Sequence, residues 1–348
     1  MEIKKEVFGI LNNEEIYEYT LKNSHDLSLS VISYGGIITK IKMPDRNGIV
    51  EEVTINVDNL DEMVANRPFH GALIGPVTGR ISKGQYFEGE KRIQLDQNEG
   101  ENTLHSGENG LDNKVWKVET EEQDQQITLI LRSQLKDGEG GFPGNVDVTI
   151  RYSLNEAGEV TIRYEATTDK TTLFNPTNHV YFNLNGNNKE TIYNHEFQLE
   201  SEHYAVLDVE NLPTGELKSV DQTDFDFREA ETLDCLLETT DKQITSRGGI
   251  DHPFVLNQDK LATAAKLYHP NSGRLLQMST NSDAVVVYTH NHEQSLGEQV
   301  DQKLGKHSGI ALETSLLPDA VNQEGFGSIW LKPNEKFSAE TTYKFSIE

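Results

Sequence analysis

Twelve residues, Asn175 to Gly186, read N-P-T-N-H-V-Y-F-N-L-N-G and gather four asparagines, one histidine and the aromatic pair Tyr181 and Phe182. His179 is the member of this stretch that changes charge near neutral pH, and the amides beside it supply hydrogen-bond donors and acceptors. So polar a cluster is costly to bury unless bonds satisfy it or a reaction uses it. Two roles are open for His179: a structural imidazole held by its neighbours, or a proton-transfer group.

Other candidates are scattered along the chain. Glu313 follows Ile310, Ala311 and Leu312, an apolar approach suited to a strand that carries a carboxylate to the edge of a site; the alternative is an exposed glutamate. His105 lies in N-T-L-H-S-G, Arg80 in G-R-I-S-K-G after a glycine-rich run from His70, and Asp251 in G-I-D-H-P-F. Taken singly, Arg80 reads as a surface cation and Asp251 as a turn residue. His290 and His292 would share one face of a strand, a spacing open to a metal ion, and His105 and His179 could join them. The pair has no carboxylate ligand beside it, so no metal is expected. The run Asp137–Gly144 is glycine-rich but lacks a following Lys-Ser/Thr and leads into a strand, which makes it a turn and not a phosphate cradle.

The elements that must hold these residues show a period of two. Val146, Val148, Ile150, Tyr152 and Leu154 alternate with polar residues, Glu156-Ala157-Gly158 turns, and Val160, Ile162, Tyr164 and Ala166 alternate again, predicting a β-hairpin with one buried face. Ile37–Met43 leads into Pro44-Asp45-Arg46-Asn47-Gly48, a reversal, and Ile127, Leu129 and Leu131 mark a further strand. Helical spacing is confined to short stretches such as Leu60–Asn66 and Ala230–Leu237. The expectation is an all-β chain of many antiparallel strands, folded as a large two-sheet sandwich. No linker, low-complexity tract or fixed repeat divides it, so residues 1–348 are expected to form a single domain.

Composition narrows the partners. Against 57 Asp and Glu stand 31 Lys and Arg, and the net charge of -26 argues against nucleic acid and anionic membranes, leaving a neutral or cationic small molecule. The lone Cys235 permits no internal disulfide and no cysteine-rich metal site. The first residues lack the apolar core of a signal peptide and no apolar run approaches a membrane span, so a cytoplasmic protein is expected.

In chain order these motifs resemble those of the aldose 1-epimerase (galactose mutarotase) family, over a span from about Tyr34 to Pro333. The resemblance implies a large β-sandwich that interconverts the α and β anomers of a hexose such as galactose or glucose, with no cofactor. It implies roles for Glu313, in L-E-T-S-L-L-P-D-A-V-N, as general base and His179 as general acid, and for Arg80, His105 and Asp251 as sugar ligands, with Tyr288 as an aromatic against the ring. Three positions depart from the family wording: Pro76 and Gly79 where an arginine and an asparagine are common, and Ser106 where glycine is usual. Ser106 is expected to keep its turn only outside the left-handed region.

Anomers exchange through ring opening, which removes the proton on the C1 hydroxyl and adds one to the ring oxygen. A glutamate is ordinarily ionised at neutral pH and a histidine can be held protonated, so Glu313 and His179 suit the two tasks. The expected pH profile is a bell, with an acid limb from protonation of Glu313 and an alkaline limb from deprotonation of His179. Two rivals remain: a non-catalytic sugar-binding or sensing protein, for which the pair would be idle, and a β-sandwich glycoside hydrolase, which would ordinarily use two carboxylates. A hexose-6-phosphate epimerase would need basic residues that this acidic chain does not show.

Overall fold

The computed structural model describes residues 1–57, 59–257, 262–292 and 305–348. The alternation in the sequence becomes pairing: Val146–Asn155 and Glu159–Thr168 form the expected hairpin, in unbroken register from Val146↔Thr168 to Leu154↔Val160. The alternating apolar residues of both strands are buried, and the residues between them are not. The hairpin belongs to a nine-stranded antiparallel sheet with Lys117–Gln123 at one edge and Glu231–Thr232 at the other. A seven-stranded sheet runs Pro213–Ser219, Ser201–Leu207, Asp251–Leu256, Ala284–Tyr288, Ile310–Ser315, Tyr181–Phe182, Thr54–Ile55. Residues before Val53 make a five-stranded sheet.

The sheets share one apolar interior. Ile150 and Tyr152 of the nine-stranded sheet, Phe254, Val287 and Leu312 of the seven-stranded sheet, and Leu29 and Ile41 of the five-stranded sheet belong to the same buried cluster. Removing these faces from water is what joins the layers into a sandwich. The strand expected at Ile37–Met43 is Ile38–Pro44, and the reversal after it is closed by the Gly48 amide on the Asp45 carbonyl at 2.9 Å.

Helix is sparse, as expected. Leu60–Asn66 is α-helical, started by the Asn59 side chain, which accepts from the amides of Asp61 and Glu62. Helix over Ala230–Leu237 is realised only in part. Glu231 and Thr232 pair with the strand Glu196–Leu199 at the sheet edge, leaving a 3-10 segment, Leu233–Leu237. Asp137–Gly144 is a turn, with Glu139–Gly141 in one 3-10 turn before the strand Val146–Asn155. No helix of the described residues is long and apolar enough to cross a membrane.

One strand decides where the site lies. Ile310–Ser315 is buried throughout. Ile310 and Leu312 point into the main interior, whereas Ala311 packs with Tyr181 and Ile55 in a second cluster. Glu313, two residues beyond Ala311, therefore stands on the face away from the main core. Registers Asp251↔Tyr288↔Ala311↔Tyr181, and next to them Pro253↔Val286↔Glu313, put both rows on that face.

Candidate active site

Those two rows are the floor of a cavity of about 330 Å³. Its rim comes from loop residues, Phe69, Gly79, Glu99, His105 and Asn211, and from strand ends at Arg80, Leu104 and Leu207. Glu313, His179, Arg80, His105, Asp251 and Tyr288, the six residues singled out from the sequence, all line it. Two other hollows, of about 370 and 730 Å³, lie beside Cys235 and beside the turn at Glu156; neither lining contains a histidine.

At the floor, His179 Nε2 lies 3.3 Å from Glu313 Oε1, both side chains almost wholly buried. Burial raises Glu313, with the Asp251 carboxylate adding to the rise, to about 8. Burial also lowers His179, to about 4. An isolated ion pair would shift both groups the other way; here desolvation moves each group toward its uncharged form. Both shifts favour the uncharged pair, with the shared proton on Glu313 and His179 neutral. This direction is opposite to the protonation expected from the sequence, and the physical reason is the burial of both groups.

The four asparagines of the histidine stretch turn out to be scaffold. Asn175 clamps Leu316, three residues past Glu313, by accepting from its amide at 2.9 Å and donating to its carbonyl at 3.2 Å. Asn178 donates to the Gly71 carbonyl, and Asn183 and Asn185 both donate to the Glu190 carbonyl. The amides that made the stretch look reactive therefore fix the backbone on either side of His179.

His105 is fixed from behind. Its Nδ1 accepts from the Gly79 amide at 3.2 Å, which places the ring proton on Nε2. Burial, reinforced by His179, holds its pKa well below the ordinary value, so it acts as a neutral N–H donor. Donor atoms of His105, His179 and Glu313 all lie within 4.8 Å of one another, a spacing that a metal ion could bridge. The set does not fit one, because a ligating imidazole needs a bare nitrogen and the Gly79 amide keeps His105 Nε2 protonated. Thr78, which the sequence reading passed over, lies between the two groups: its hydroxyl donates to Glu313 Oε2 at 3.4 Å and lies 3.5 Å from His105 Nδ1.

His105 and Ser106 both adopt left-handed backbone, φ +50° and +69°. The expectation that Ser106 avoids this region is therefore wrong. Its hydroxyl donates to the Val77 carbonyl and accepts from the Val77 amide, each at 2.8 Å, and these bonds offset the strain. Gly79 has φ +72°, and a Cβ there would approach Pro318 Cβ to 2.9 Å, so both backbone and packing favour glycine.

Arg80 presents its fork to Glu99, Nε to Oε2 at 2.6 Å and Nη2 to Oε1 at 2.8 Å. Burial opposes the Arg80 charge, but its bonds to Glu99 and the field of Asp251 outweigh that and raise its pKa. Asp251 is itself raised by burial, against the pull of Arg80 and Arg247. Burial and the Asp251 charge push Tyr288 up to about 12, so its phenol stays neutral. The expected strand-face pair of His290 and His292 does not form. The strand ends at Tyr288; His290 turns inward at φ +49° to pack edge-on against Tyr181, while His292 is exposed at the cavity rim.

The antiparallel β-sandwich thus carries a buried His–Glu pair at the bottom of a polar cavity. An aldose 1-epimerase family profile matches residues 17–344. Galactose mutarotase of Bos taurus is 36% identical over 93% of this chain and 92% of its own, and aldose 1-epimerase of Escherichia coli is 31% identical over 94% and 95%. The crystal structure of galactose 1-epimerase from Lactobacillus acidophilus superposes with TM-score 0.89 at 30% identity, covering 99% of both chains. The chain belongs to the aldose 1-epimerase family.

Proposed function

We propose that this protein is an aldose 1-epimerase in which Glu313 is the base and His179 the acid, with Arg80, His105 and Asp251 holding hydroxyls and Tyr288 packing on the ring of a neutral aldohexose. The observation that carries this assignment is the 3.3 Å approach of His179 Nε2 to Glu313 Oε1 on the cavity floor. The hydroxyl and ring oxygens that exchange protons are bonded to the same carbon, so an acid and a base side by side can serve both.

The proton count is conserved. In the reactive tautomer Glu313 is a carboxylate and His179 an imidazolium. Glu313 takes the proton from O1, His179 gives one to O5, the C1–O5 bond breaks and C1=O1 forms. The pair is then neutral, with one proton on Glu313. Rotation about C1–C2 presents the other carbonyl face and the transfers run backwards. Burial favours the neutral pair, which is the arrangement that accompanies the open-chain aldehyde, and the Thr78 hydroxyl and the Arg80 charge favour the ionised one. His105 Nε2–H would donate to oxygen that gains negative charge.

Residues 1–348 would act as one domain, since the main apolar cluster draws on all three large sheets. The lone, half-buried Cys235 and the acidic surface fit a cytoplasmic enzyme. The direct test follows the optical rotation of freshly dissolved α-D-galactose and α-D-glucose with and without protein. Faster decay to the equilibrium rotation is expected, and rates equal to the buffer blank for both sugars would exclude the activity for them.

A further inference from the structure

Glu99 carries no role in the reaction described above, yet its carboxylate lines the cavity and takes both Nε and Nη2 of Arg80. A turn keeps it there: the Glu99 amide donates to the Asn102 carbonyl at 3.2 Å and the Asn102 amide donates back at 2.9 Å, just before His105. The Glu99 side chain remains about one-third exposed, at 38%, whereas Arg80 is at 17%. The fork that Glu99 occupies is the edge of a guanidinium that binds planar carboxylates and phosphates in bidentate fashion.

Among the described residues that line the cavity, Arg80 is the one Lys or Arg, set against the carboxylates of Glu99, Asp251 and Glu313. We propose that Glu99 determines substrate class: by closing the Arg80 fork it reserves the cavity for uncharged sugars and turns anionic ones away. A sugar hydroxyl needs only a single N–H and can donate in return to the outer lone pairs of Glu99, so it is served by the Arg80–Glu99 pair as it stands. A sugar carboxylate or phosphate would have to displace Glu99 from Arg80 and then sit near it and Asp251, like charges at close range. This inference rests on the assignment of Arg80 as a hydroxyl ligand.

The test uses the full-length protein with Glu99→Ala, Glu99→Gln, Arg80→Ala and the double variant Glu99→Ala/Arg80→Ala, with D-galacturonate and D-galactose 6-phosphate as probe inhibitors of galactose mutarotation. Opening the fork should make the Glu99 variants at least ~10-fold more sensitive to both anions than the wild type, a shift of ~1.4 kcal/mol. KM for galactose should rise ~3–10-fold with kcat little changed, as for a lost positioning contact. The double variant should lose the gained sensitivity, placing it on Arg80. A gain of affinity cannot come from misfolding. Glu99 variants no more sensitive to either anion than the wild type would overturn the proposal while leaving Arg80's own role standing. Unchanged KM in Arg80→Ala would instead remove the assignment of Arg80 on which it rests.

Discussion

On the cavity floor, Glu313 and Asp251 stand on strands joined through Ala284–Tyr288 by the registers Asp251↔Tyr288 and Val286↔Glu313. On the rim, His105, Ser106 and Gly79 occupy left-handed backbone at φ +50°, +69° and +72°. The floor is held by backbone ladders that any sequence with the right alternation can form. The rim is held by particular side chains: Ser106 on Val77, Glu99 on Arg80 and Asp319, whose carboxylate accepts from the Ser82 amide at 3.0 Å. In the proposed mechanism the base and Asp251 stand on the ladder, while His105 stands on left-handed backbone and Arg80 on the two-residue strand just after Gly79. That division separates the geometry of proton transfer from the contacts that choose the sugar, so changes on the floor should strike kcat and changes on the rim should strike KM or stability.

The largest effect should come from the floor. Glu313→Gln keeps the shape of the side chain and cannot accept the anomeric proton, so kcat should fall ~10²–10⁴-fold with a folded protein and nearly unchanged KM. Stopped-flow or polarimetric rates, beside a circular dichroism melt, would check it; more than about a tenth of the wild-type rate would place the base elsewhere. His179→Asn should lose ~10²-fold or more in kcat, since the amide donates a hydrogen bond without giving up its proton.

The pH profile sharpens the same point. The active pair carries one proton in either tautomer. On the acid side activity falls when a second proton reaches His179, which burial has lowered to about 4. On the alkaline side it falls when the pair loses its only proton, from Glu313 raised to about 8. A broad plateau between those limbs is expected, with apparent values that belong to the pair. Either protonation puts the acid limb at about 4, so the alkaline limb decides: one near the ordinary imidazole value of about 6.5 would restore the protonation read from the sequence.

Thr78 links rim and floor, and its effect should be intermediate. Thr78→Val removes the hydroxyl that favours ionised Glu313, so the alkaline limb should move upward and kcat should fall ~3–10-fold, in line with loss of one bond to a charged group. Thr78→Ser should restore both. A valine variant with the wild-type limb and rate would mean that the 3.4 Å contact does no work in turnover.

How much of this the sequence disclosed follows the same division. The sandwich and the hairpin Val146–Asn155/Glu159–Thr168 were legible because each strand states its buried face by alternation, and the cavity-facing side of Glu313 follows from the register of its neighbours. The six site residues came from motifs in family order, and the structure brings them around one cavity. Glu99 and Thr78 were missed because nothing local distinguishes a glutamate or threonine in a loop until a fold folds it against Arg80 or Glu313. His290 and His292 misled for the opposite reason: a strand spacing was assumed beyond Tyr288, where the chain has already left the sheet. The protonation of the Glu313–His179 pair was illegible because it depends on how deeply both groups are buried, a property of packing and not of either residue.

The smallest effect tests whether the rim is strained at all. Ser106→Ala deletes the bonds to both Val77 groups and retains a side chain in left-handed backbone, at a buried position where the orphaned Val77 amide and carbonyl should cost about 1–3 kcal/mol. Ser106→Gly deletes the same bonds but releases the conformational cost of φ +69°, about 1 kcal/mol for a non-glycine residue. The glycine variant should therefore unfold in urea at a midpoint between those of wild type and alanine, with a shared slope. Activity separates the two further, because the alanine variant loosens the segment that carries Thr78 and Gly79 behind His105, and its KM should rise more than that of the glycine variant. Equal midpoints for alanine and glycine would show that the left-handed turn at Ser106 stores no strain and that the rim is as relaxed as the ladder beneath it.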